Sequence, residues 1–216
     1  MSSIHIRPIR LQKWFPPNDT FATSVAQLCI LREDFYLEIH GIIEDPIEFL
    51  DRNTAAWRHN YFFRNSIRTL MEIRGALEIL WKVDEFKEAL AEEPTEVADS
   101  LAKLLTGLRK SHDLIKFVRN KICGHVQHRD VHRALAIMDF DRRGIVEIGE
   151  NFKSTHFKFT SELFIAILQA GNPAKKIADR DIEEVLDMTA TMARLVPALT
   201  AIDSILSIYK RARRLS

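Results

Sequence analysis

Residues 109–133, RKSHDLIKFVRNKICGHVQHRDVHR, gather the groups in this chain that could handle a phosphate and move a proton. Seven cations (Arg109, Lys110, Lys116, Arg119, Lys121, Arg129, Arg133) stand against two acids, Asp113 and Asp130, a local balance of +5 before any histidine is charged. In a chain of formal net charge +1 this is a focused positive surface, suited to phosphates. Four of the eight histidines fall here as well: His112, His125, His128 and His132. Imidazole titrates near neutrality and can accept or donate a proton, while guanidinium offers a fixed cationic fork to phosphate oxygens. The plainer reading of such a run is a solvated helix face.

Within the stretch, Arg119-Asn120-Lys121-Ile122-Cys123-Gly124-His125 resembles the Arg-polar-x(3–5)-His motif of the HEPN superfamily. These are helical domains found in many prokaryotic toxins and antiviral ribonucleases. The resemblance covers these seven positions and, loosely, the helical architecture. It implies a metal-independent endoribonuclease in a toxin–antitoxin or antiviral defence setting, with Arg119, Asn120 and His125 as its catalytic residues and no cofactor. A ribose 2′-OH would attack the neighbouring phosphorus, leaving a 2′,3′-cyclic phosphate, and DNA would not be cut. His125 would carry the proton, Arg119 would stabilise charge on the phosphate oxygens, and Asn120 would orient its neighbours. Arg109, Lys110, Lys116, Lys121, Arg129 and Arg133 are the candidate phosphate or RNA contacts. Some HEPN proteins are nucleotide-binding or scaffolding modules, so the alternative is a non-catalytic RNA-, nucleotide- or protein-binding module. HEPN domains commonly pair motif to motif, which implies a homodimer with one composite cleft; an antitoxin is a further implied partner.

Other chemistry competes for the same residues. His125, His128 and His132, spaced by three and four, could share a helical face as metal ligands, with Asp130 or His112 completing the shell. Gly124 and an N-cap at Asp130 argue against one continuous helix there, and no metal is expected. Cys123 beside His125 could be a nucleophile, although cysteine more often packs as a small hydrophobe. His125 itself could be a buried or helix-capping histidine, and Arg119 a surface salt bridge. A second Arg-Asn…His spacing, Arg52-Asn53 to His59, follows an acidic connection and is set aside.

The elements that must position these groups read as helices. Gly and Pro number only 7 each in 216 residues, too few for a turn-rich sandwich or barrel. Hydrophobic residues at 46% suffice for a core. Val97, Leu101, Leu104, Leu108, Ile115, Val118 and Ile122 trace one seam that ends at Gly124. Phe63, Ile67, Leu70, Leu77 and Trp81 trace another over residues 54–82. A helix from about residue 18 should stop at Gly41, further helices should cover 130–138 and 161–170, and a last one over 181–209 should kink or split at Pro197. Trp57, Tyr61, Phe62, Phe63 and Trp81 read as core aromatics. Between residues 142 and 159 the period shortens to two, which predicts a small β-hairpin insertion. The expected class is all-α, an antiparallel bundle. Its domains are a basic arm (1–17), a single HEPN-like domain (18–209) and a basic tail (210–216). Two cysteines without a CxxC pair, no apolar leader run and no apolar stretch of spanning length point to the cytoplasm and away from a membrane.

Overall fold

A computed structural model describes residues 9–43, 52–123, 126–139, 146–148, 150, 156–157, 160–172 and 188–215. These residues are mainly helical. The helices are α1 (Leu11–Trp14), α2 (Thr20–Ile43), α3 (Arg52–Leu80), α4 (Asp84–Ala91), α5 (Thr95–Lys110), α6 (His112–Val118), α7 (His128–Ile137), α8 (Thr160–Gly171) and α9 (Met188–Ala212). A π-helical turn, Arg119–Cys123, extends α6. Val146 pairs antiparallel with Phe157, and Glu147 with His156. Residues 142–145, 149, 151–155 and 158–159 of the segment read as a hairpin lie outside the described residues. No described helix is long and apolar enough to cross a membrane.

The contacts divide the chain into two units: residues 1–33, 72–109 and 197–216 form one, and residues 34–71 and 110–196 the other. In the first, Phe21, Leu28, Ile73, Leu80, Phe86 and Ile205 are fully buried. Phe21 meets Phe86 and Tyr209 edge to face, with ring centroids 5.7 and 5.0 Å apart. The Tyr209 hydroxyl donates to the Trp14 carbonyl, and Phe15 stacks on the Tyr209 ring at 5.8 Å. Arg211 pairs with Glu93, and Arg213 with Asp19 and Glu85, so these basic residues are tied down rather than free.

The second unit is built on Phe35, Ile39, Phe63, Ile67, Val118, Ile122 and Leu168, all buried. Here Gly41 corrects one expectation. It lies inside α2, which continues to Ile43, because a Cβ at this position would stand 2.5 Å from the Phe62 ring. The glycine provides room for α3, not a left-handed stop. Pro197 does not split its helix: α9 runs through it, surviving the loss of one N–H donor. Tyr61 is exposed rather than core, set edge-on to Phe62. The expected helix start at 181 and the side chain of Trp57 lie outside what is described.

Candidate functional site

The motif begins where α6 changes its hydrogen bonding. Ile115 and Val118 bury one face of α6, and the Arg119 N–H reaches both the Ile115 and Lys116 carbonyls. Over Arg119–Cys123 the ladder widens to π-helical i→i+5 bonds. Ile122 and Cys123 enter the core while Arg119 and Asn120 face solvent. The single long helix expected from the seam is therefore interrupted twice, by a turn at Ser111 and by this π-turn. Gly124 and His125 lie outside the described residues.

Lys121 points back into the fold. Its Nζ lies 3.0 and 3.1 Å from the two carboxylate oxygens of Asp130, whose side chain is 4% exposed. The lysine stem crosses Gly171 at the end of α8, where a Cβ would stand 2.8 Å from Cε. Asp130 sits in the first turn of α7, where the helix dipole favours a carboxylate. Gln127, not Asp130, is the N-cap residue of α7, and the cap makes no side-chain hydrogen bond.

The other basic candidates are distributed. Lys116 on α6 and Arg129 and Arg133 on α7 are exposed, the last two one helical turn apart. Lys110 is exposed at the end of α5. Arg109 belongs to the first unit and pairs with Glu78 at 3.4 Å. His128 and His132 share one exposed face of α7, and among the described residues no three metal-ligating side chains cluster.

Burial pushes the Cys123 thiol up to about 12, against the opposing pull of the charges on Arg64, Arg119 and Arg68. A thiol held neutral in this way is inert, so Cys123 packs as a small hydrophobe. The same electrostatics expose two groups that sequence reasoning missed. Arg64 and Arg68 lie one turn apart on α3, and their charges reach the thiol together with that of Arg119. The Arg64 guanidinium carbon sits 4.9 Å above the Phe164 ring of α8, and its buried Nε finds no hydrogen-bond partner among the described residues. A signal for them was present: residues 52–71 carry Arg52, Arg58, Arg64 and Arg68 without a single Asp or Glu.

Chemically, this region can hold an anion. It offers solvent-facing Arg119 and Asn120, a second pair of arginines from α3, and no carboxylate paired to Arg64, Arg68 or Arg119 among the described residues. No family model matches the chain, and neither a curated protein nor a solved structure matches it.

Proposed function

We propose that this chain is a HEPN-like protein that cleaves RNA without a metal, through attack of a ribose 2′-OH on the adjacent phosphorus. The observation that carries the reading is the π-turn that turns Arg119 and Asn120 to solvent, with no carboxylate pairing to Arg119 among the described residues. Arg119 binds the phosphate oxygens, Asn120 orients its neighbours, and His125 transfers the proton. The reading includes a HEPN-like bundle with a small hairpin insertion carrying the 146–157 pairing, and a homodimer that brings two motifs together. It places the protein in the cytoplasm, in a toxin–antitoxin or antiviral setting, with an antitoxin as a further partner.

The experiment is incubation of purified protein with mixed RNA, with and without EDTA, alongside His125→Ala. The expected result is cleavage that is indifferent to EDTA, leaves 2′,3′-cyclic phosphate ends, spares DNA and disappears in the variant. Arg119→Lys should also impair it, because a point charge does not replace a planar fork. Cleavage abolished by EDTA would overturn the reading in favour of a histidine metal site. RNA or nucleotide binding without cleavage would leave the non-catalytic module.

A further inference from the structure

The exposed face of α3 carries Tyr61, Arg64 and Arg68 at steps of three and four, which places the three side chains on one stripe of the helix. Tyr61 is 58% exposed. Arg68 is exposed and Arg64 half-buried. The Arg64 guanidinium carbon lies over the Phe164 ring, and the buried Nε lacks an acceptor among the described residues. Residues 52–71 of α3 contain no acid; Glu72, one turn past Arg68, is the first, and no ion pair joins the two among the described residues. α8, which supplies Phe164, also supplies Gly171, the residue over which Lys121 of the π-turn passes. One helix therefore supports both the arginine stripe and the turn that carries Arg119.

We propose that Tyr61, Arg64 and Arg68 form a single-stranded RNA track leading to Arg119, in which the two arginines hold consecutive backbone phosphates and Tyr61 stacks on a base. This deepens the RNA reading of the Arg119 site and rests on it. Duplexes hide their base faces, whereas an exposed ring flanked by cations suits unstacked bases on a charged backbone. The three are binding residues, and the chemistry stays with the motif.

The test separates binding from cleavage. The probe is a fluorescein-labelled single-stranded RNA oligonucleotide methylated at every 2′-oxygen, which cannot react by 2′-OH attack, and the readout is anisotropy across a salt titration. Arg64→Gln and Arg68→Gln should each flatten the dependence of log affinity on log salt by about 0.7, one phosphate contact on a single strand. Tyr61→Ala should weaken binding about tenfold and leave that slope unchanged, because stacking releases no counterion. Tyr61 and Arg68 are exposed, so their variants keep the proposal falsifiable even if Arg64→Gln fails to fold by circular dichroism. Affinity and slope equal to the parent in the Tyr61 and Arg68 variants would overturn the track, as would equal binding of a duplex or no binding by the parent protein. Cleavage of unmodified RNA, measured in parallel, reports on the Arg119 and His125 reading. Lost cleavage with an intact track, or the reverse, shows which of the two has failed.

Discussion

Lys121 and Asp130, nine residues apart, form a bidentate ion pair in the second unit, with both lysine–carboxylate distances near 3 Å and the carboxylate almost fully enclosed. The pair joins the π-turn to the first turn of α7. It also removes Lys121 from the positive surface that composition alone assigns to this stretch.

Removing one partner of such a pair leaves an uncompensated charge away from water. Lys121→Met should therefore destabilise the fold by about 3 kcal/mol, and Asp130→Asn by a similar amount. The double variant should lose less than the sum of the two. Urea unfolding of the three variants measures this, and strict additivity would mean that the two residues do not interact.

Three helical glycines make a controlled comparison. Gly75 and Gly107 have nothing within 4 Å of an added Cβ, so Gly75→Ala and Gly107→Ala should each stabilise by about 1 kcal/mol through helix propensity. Gly41→Ala drives its methyl into the Phe62 ring and should destabilise by about 2 kcal/mol despite the same propensity gain. Thermal melts should move in opposite directions for the two kinds of site.

Stability should bend at both ends of the pH range. Glu78 is held below its ordinary value of 4.5, chiefly by its hydrogen bonds from Arg74. A depressed carboxylate contributes stability above 4.5 that is lost as pH falls through the lower folded value. Burial raises Tyr209 above 10.0, so its contribution is complete below 10 and is lost as pH climbs through the higher folded value. Glu78→Gln should flatten the acid limb of a stability–pH curve, and Tyr209→Phe the alkaline limb. Unchanged limbs in these variants would assign the curvature to other groups.

With its pKa near 12, Cys123 carries about one thiolate in ten thousand at pH 8. A disulfide exchange reagent should leave Cys123 unmodified in the native protein and label it after unfolding, as read by mass spectrometry of the digested chain. Rapid native labelling at Cys123 would contradict its burial.

Much of the helical framework was legible. Leu101, Leu108, Ile115, Val118 and Ile122 are buried as their spacing predicts, and so are Phe63, Ile67, Leu70 and Leu77. Leu105 is buried more fully than Leu104, a shift of one residue within an apolar pair that periodicity does not resolve. Gly41 reads as a stop in sequence because a glycine serving a turn and a glycine making room for a ring are the same letter. The π-turn was illegible because five residues are too few for a change of period to register. The Lys121–Asp130 pair joins two separate elements, the π-turn and α7, and local spacing does not encode which residues of different elements meet. Arg64 escapes a reading of α3 by its apolar face, because it belongs to the stripe outside that face. Arg119 and Asn120 stand at the surface on the π-turn, while the histidine of the motif lies outside the described residues.

The π-turn makes the length of this segment as consequential as its chemistry. A turn closed by i→i+5 bonds accommodates one residue more than the α-turn it replaces. Deleting a single residue between Arg119 and Cys123 would let the ladder close as ordinary α-helix, with the elements after it keeping their place and the wide turn lost. The buried pair Ile122 and Cys123 could survive that deletion, while the turn that carries Arg119 and Asn120 at the surface would be gone. In genetic terms, an in-frame codon loss here would spare the helix and remove the turn, which a missense change at the same positions would leave in place.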